Sequence, residues 1–392
     1  MTQRLHIITL LTWAVLCTFS CKKGDDEIVK GAEKLPCYID ANTTLTNHNA
    51  NGVDYVAECP VEVFAGTLTI EPGTTIEFPE GTYLWVYNSA VLRCAGTAAD
   101  PVVMKSTANG VYWDGLLLES NSAQNQLLYT EIQNAGLNLT RGDITTTFGD
   151  FSDKSRAASV VCNGRLRMEN CTVQNGRGDG ILLGSSATVT GFSNNLIDNN
   201  NGYALRTYAG LLTNLNLKSC TLTNNRDNFV ALYSISSNQE VEVPTTIQGI
   251  SVPYLAISEL SFSEGVDVEP GTTLYFKSET FFAAQKYLVA KGTSAQPIVF
   301  RGVATGAAAW GGVLVNSNDN RNEMAFCNVS DGGQVEMAFG VSKANIAVNY
   351  ESRLRLTNCR STSFEGCAVA VGATANFTNQ STEIAPGDIC SF

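Results

Sequence analysis

Residues 170–175 read NCTVQN, residues 194–199 read NNLIDN and residues 219–224 read SCTLTN. The three segments start 24 and 25 residues apart. Each has two alternate small or apolar positions followed by an asparagine. Alternation with period two is the mark of a short strand, whose successive side chains point to opposite faces. Asparagine at the end of such a strand reads as a corner, because it tolerates the turn conformations that most residues avoid. Short strands with Gly and Asn corners, recurring at this interval, describe the coils of a solenoid. A single coil cannot bury its own apolar face, so coils stack at about 4.8 Å per step. Val173, Ile197 and Leu222 are then expected on one ladder and Cys171, Asn195 and Cys220 on another, with stacked amides satisfying polar groups at the corners.

A longer repeat surrounds this one. EPGTTIEF at Glu71–Phe78 returns as EPGTTLYF at Glu269–Phe276, an offset of 198. GTAADPVVM at Gly96–Met104 returns as GTSAQPIVF at Gly292–Phe300, an offset of 196. WDGLLLES from Trp113 returns as WGGVLVNS from Trp310, and RLRMENC at Arg165–Cys171 returns as RLRLTNC at Arg353–Cys359, offsets of 197 and 188. Four motifs in the same order are the signature of duplication. The drop in offset places nine extra residues in the first copy, between Gly136 and Arg165. In EPGTT, proline fixes φ and glycine supplies the positive φ of a type II turn, so Glu71 and Glu269 read as corner residues. Trp113 and Trp310 read as corner packing.

With these motifs the chain resembles bacterial right-handed parallel β-helix proteins, the pectin-lyase-like architecture, and within it the secreted group with EPGTT, GTxxxP and WxG repeats. The resemblance covers roughly residues 50–390. It implies an all-β, right-handed parallel β-helix solenoid with an internal duplication of about 197 residues. The expected halves are 37–243 and 244–392. The enzymes of this architecture are polysaccharide lyases and glycoside hydrolases.

The 392 residues are 44% apolar and 16% charged, with 34 glycines. By length alone two to three units are expected. This is neither a disordered nor a collagenous composition. Lys+Arg 25 against Asp+Glu 37 gives −12, and removal of residues 1–20, which hold only Arg4, makes it −13. A field of that sign repels phosphate backbones and argues against a nucleic-acid partner.

The first 20 residues carry Arg4, an apolar run from Ile7 to Leu16 and then small residues, as a secretory signal does. Ser20-Cys21 resembles the lipobox of bacterial lipoproteins, although Thr18 and Phe19 depart from its usual residues. The resemblance implies diacylglycerol on Cys21, and CKKGDDE resembles the tag after the lipidated cysteine of some Gram-negative surface lipoproteins. Residues 21–36 read as a flexible tether. The expected location is the outer membrane, facing outward, with the N-terminal lipid as the membrane contact.

Chemistry is sparse. After the signal only His48 remains, which supports neither a Ser-His-Asp nor a Cys-His site. No Arg-x-Lys triplet occurs, and the one adjacent Asp pair is Asp25-Asp26 in the tether. Asp143, Asp150 and Asp153 form the densest acidic group, in the enlarged loop, and read first as solvated charge. No Cys or His spacing suggests zinc, and no cofactor is expected. Cys171, Cys220, Cys327 and Cys359 alternate with apolar residues and are expected to point inward as packing thiols. Cys37 and Cys59, flanking the first coil, form a candidate disulfide.

The more useful stretch is Tyr83-Leu84-Trp85-Val86-Tyr87. Alternation sends Leu84 and Val86 inward and Tyr83, Trp85 and Tyr87 to the outer face, a platform for sugar rings or a protein contact. The second copy offers Phe281 and Phe282 instead. Residues 37–60 folding back over the platform is the competing expectation. The functional expectation is a non-catalytic surface lipoprotein that binds a glycan or protein; the alternative is a lyase or glycoside hydrolase.

Overall fold

The computed structural model describes residues 31–49, 52–136, 157–234, 240–337, 340 and 342–392. Within them the strands pair in parallel throughout, and none lies beside its immediate neighbour in sequence. Successive strands therefore belong to different faces of one coil, and each face is built by the same position of successive coils. An 8-stranded and a 6-stranded sheet line the first half, a 7-stranded and another 6-stranded sheet the second, and a 13-stranded sheet runs through both. Residues 31–392 form one body.

The inward ladders supply the core. On the 13-stranded sheet Val61, Leu84, Leu116, Val160, Ile181 and Leu205 stack in register, and each is fully buried. On the 8-stranded sheet Val173, Ile197 and Leu222 align as the hexapeptides predict. The corner asparagines adopt positive φ, 56° at Asn170, 59° at Asn175 and 52° at Asn199. Their amides stack, with Asn199 Nδ2 donating to Asn175 Oδ1 at 2.8 Å. A second, buried ladder runs inside: Asn200 Oδ1 accepts from the Gly176 amide at 2.9 Å, and Asn225 Oδ1 from the Asn200 amide at 3.0 Å. Polar groups that the coil turns leave inside are thereby satisfied.

The two motif copies share their local structure. Gly73 and Gly271 take φ of 77° and 80°, the left-handed value that the turn requires of the residue after proline. Trp113 stacks on Phe78 at 4.2 Å and Trp310 on Phe276 at 4.1 Å. Both indoles are fully buried, and each Nε1 donates to a backbone carbonyl, Gln133 at 2.9 Å and Ser330 at 2.7 Å.

They do not share a sheet. Strand Thr75–Phe78 stands in the 8-stranded sheet, whereas its counterpart Thr273–Phe276 stands in the 13-stranded one. Gly115–Leu118 is in the 13-stranded sheet and its counterpart Val313–Val315 in the 7-stranded one. The second copy is thus displaced by one face. The displacement occurs near the expected boundary at 243/244, where 3-10 turns Ala209–Asn214 and Leu217–Ser219 follow the last strand of the first 6-stranded sheet, Thr188–Ser193. Only the 13-stranded sheet crosses this point, by pairing Asp227–Tyr233 with Tyr254–Ala256.

Two expectations change at the first coil. Glu33–Lys34 already pairs with Tyr55–Val56, so ordered structure starts inside the expected tether 21–36. The described residues of 37–60 do not fold back over the outer face; Tyr38–Ile39 continues the 13-stranded sheet by pairing with Glu62 and Val63.

Candidate functional site

The outer face of the 13-stranded sheet begins with a run of aromatic rings. Tyr38, Glu62 and Trp85 occupy one outward row of the register. Two residues further along the strands, Phe64 and Tyr87 occupy the next. Leu84 and Val86 point into the core and are fully buried, as the alternation requires. Tyr38 stacks on Phe64 at 5.8 Å, Phe64 meets Tyr87 edge-on at 5.6 Å, and Tyr87 stacks on Trp85 at 4.3 Å. Tyr38 and Phe64 are 51% and 39% exposed, the most accessible part of the strip.

Two carboxylates are tied into it. Tyr87 donates its hydroxyl to Glu62 Oε2 at 3.1 Å, and Trp85 Nε1 donates to Glu119 Oε2 at 2.8 Å. Burial, and after it the Glu62 carboxylate, pushes the Tyr87 hydroxyl up to about 12, so it remains a protonated donor at neutral pH. These bonds fix the rings against rotation, so their order costs a ligand little entropy on binding.

One ring expected in the platform is not available. Tyr83 is the first residue of its strand, next to the corner at residues 79–82, and is only 4% exposed. Tyr38 and Phe64, which the sequence reading passed over, take its place. Phe64 lies 23 residues before Tyr87, about one coil, and Tyr38 lies 49 before it, about two, and the strand register sets them side by side. At the counterpart positions of the second copy, Phe282 is fully buried and belongs to the 7-stranded sheet. The displaced second copy instead puts Tyr275 on the outer face, edge-on to Phe229 at 5.4 Å and with Arg301 5.4 Å from its ring centre.

Between these two clusters the outward row is closed to solvent. Leu117, Val161 and Leu182 point outward yet are fully buried, and Arg206 in the same row is 1% exposed. Arg206 pairs with Asp179 at 2.9 Å. Asp114 pairs with Arg177 at 3.1 Å. His48 is structural: its amide and that of Asn49 donate to buried Asp54 Oδ1 at 2.8 and 2.7 Å, and its ring packs edge-on to Tyr55. Glu269 anchors a corner, accepting from the Gly249 amide at 3.0 Å and pairing with Lys218 at 2.6 Å. Asp143, Asp150, Asp153 and Cys21 lie outside the described residues. Among the described residues no group of three His, Cys, Asp or Glu could hold a metal ion.

The cysteines divide by position. Cys37 and Cys59 are disulfide-bonded, with Cα atoms 5.6 Å apart, and so are Cys367 and Cys390, at 6.0 Å. The second pair was not foreseen. Cys171, Cys327 and Cys359 are buried free thiols, as are Cys94 and Cys162. Burial pushes Cys162 and Cys171 up to about 12, which leaves them protonated and unreactive. Cys220, expected to point inward with them, is partly buried and packs against the core directly after the 3-10 turn Leu217–Ser219.

A family model described as "Right handed beta helix region" matches residues 89–243. No curated protein and no solved structure matches the chain. With the parallel sheets that carry this match, the chain has the right-handed parallel β-helix fold.

Proposed function

We propose that this chain is a surface lipoprotein that binds a glycan without cleaving it, through the strip Tyr38–Phe64–Tyr87–Trp85. The observation that carries the reading is the run of four contacting rings with Glu62 and Glu119 fixed beside it. Sugar rings stack their C–H faces on aromatic side chains, and carboxylate oxygens accept from their hydroxyls. A protein partner would use the same rings, but the Glu62 carboxylate in the middle of the strip would then have to be buried against it at a cost. The strip precedes the segment matched by the family model apart from Glu119, so family resemblance does not supply it.

A catalytic role finds less support. The acid–base pair central to the outer face, Asp179–Arg206, is closed to solvent, and fold alone does not settle activity. The anchoring part of the proposal rests on the signal, on Cys21 and on the polar segment after it. Three acyl chains would hold the protein far more firmly than a single chain does, placing the β-helix outside the outer membrane.

Two experiments test this. On a glycan array the wild-type protein should be retained and Tyr38→Ala/Phe64→Ala should lose retention, with thermal midpoint near normal, since both side chains are exposed. Equal retention by both proteins would refute the strip. Cys21→Ala should leave the membrane fraction and lose palmitate labelling; continued labelling would refute the anchor.

A further inference from the structure

The charge around the strip identifies the class of glycan, an inference that rests on the proposed glycan-binding reading. The outward positions of Tyr38–Ile39, Val61–Val63 and Tyr83–Val86, with the residues that directly follow them, are Tyr38, Asp40, Glu62, Phe64, Tyr83, Trp85 and Tyr87; Glu119 follows on the next strand. Three of these are carboxylates and none is Lys or Arg. The lysines of neighbouring coils are engaged elsewhere, Lys34 with Glu58 at 2.8 Å and Lys105 with Glu77 at 3.5 Å. Binding of a uronate-bearing chain requires cations or bound metal to offset its repeating carboxylates. Here each would approach Glu62, Glu119 or Asp40 on a chain of net charge −12, and like charges repel.

The opposite holds for an uncharged sugar. Its hydroxyls are donors, and a carboxylate accepts stronger hydrogen bonds than a neutral oxygen does. Glu62 is held by Tyr87 through one oxygen, so its orientation is set before the ligand arrives, whereas Glu119 accepts from Trp85 through Oε2 and its Oε1 is buried, so it contributes charge and ring position only. We infer that the strip takes an uncharged glycan and rejects polyuronates, the substrates that pectin-lyase-like architecture would suggest. The second cluster on this sheet, Phe229 and Tyr275, has Arg301 beside it, itself 3.8 Å from Asp331, and marks by contrast that the first one holds no cation.

The test is calorimetric titration of the full-length protein with uncharged gluco-, xylo- and manno-oligosaccharides and with oligogalacturonate of matched length, at low and high ionic strength. An uncharged oligosaccharide should bind with an affinity insensitive to salt and fall by about tenfold in Tyr38→Ala/Phe64→Ala, the loss expected for removed aromatic stacking. Oligogalacturonate should not bind at low ionic strength. Oligogalacturonate binding that the same double variant abolishes would overturn this inference while leaving the strip as a glycan site. Absence of binding by either class, or binding that the variant does not alter, would overturn the glycan reading itself.

Discussion

The first and second halves of the solenoid use the same motifs in the same order, yet they present different chemistry on the one sheet they share. In the first half the 13-stranded sheet is built from strands such as Tyr83–Val86 and Gly115–Leu118; in the second it is built from Thr273–Phe276 and Ile298–Gly302, whose first-half counterparts stand in the 8-stranded sheet. The shift by one face replaces Trp85, Glu62 and Glu119 by Tyr275 and Arg301 on the outside. Inside, nothing changes in kind: each half keeps a buried Trp stacked on a Phe and an Asn holding a corner. The core motifs therefore specify the coil, and the face on which a copy lands specifies what it can bind.

The largest expected effect tests whether the two cores are equivalent. Trp113→Ala and Trp310→Ala should each cost roughly 3–5 kcal/mol, as loss of a large buried aromatic does. Urea unfolding that shows a large loss for only one of them would break the equivalence. Next come the disulfides, one near each end of the described body, closing loops of 22 and 23 residues. Replacing either pair by alanine should cost about 3 kcal/mol on loop-entropy grounds, a similar amount at each end. Smaller again are the corner asparagines. Asn125 Oδ1 accepts from the Leu92 amide at 3.0 Å and Asn322 Oδ1 from Leu288 at 2.8 Å, and both residues are buried. Asn125→Ala and Asn322→Ala should each cost about 1–3 kcal/mol by leaving a buried amide unpaired. The smallest effect is on thiol labelling. Of the six free cysteines among the described residues only Cys220 is not buried, so a thiol reagent should modify Cys220 in the native protein and reach Cys94, Cys162 and Cys171 only on unfolding.

Much of the coil was legible in the sequence. Val173, Ile197 and Leu222 were placed on one ladder by period alone, and the Pro-Gly corner by its φ requirements. The angular phase of the second copy was not, because motif offsets count residues and carry no record of the face on which they fall. That phase changes around the 3-10 turns between Ala209 and Ser219, a stretch without a repeated motif. The outer strip was half legible for a related reason. Alternation within one strand gave Trp85 and Tyr87 and sent Leu84 and Val86 inward, but contact with Tyr38 and Phe64 depends on register between coils. The Cys367–Cys390 bond had an unused signal: its separation of 23 residues is one coil, close to the 22 of Cys37–Cys59.

The comparison of the two aromatic clusters also gives the most direct test of the binding account. Titration of an uncharged oligosaccharide identified with the wild-type protein should be repeated with Tyr38→Ala/Phe64→Ala and with Phe229→Ala. The account predicts about a tenfold or greater loss of affinity in the first variant and wild-type affinity in the second. Wild-type affinity in the first variant, or an equal loss in both, would contradict it.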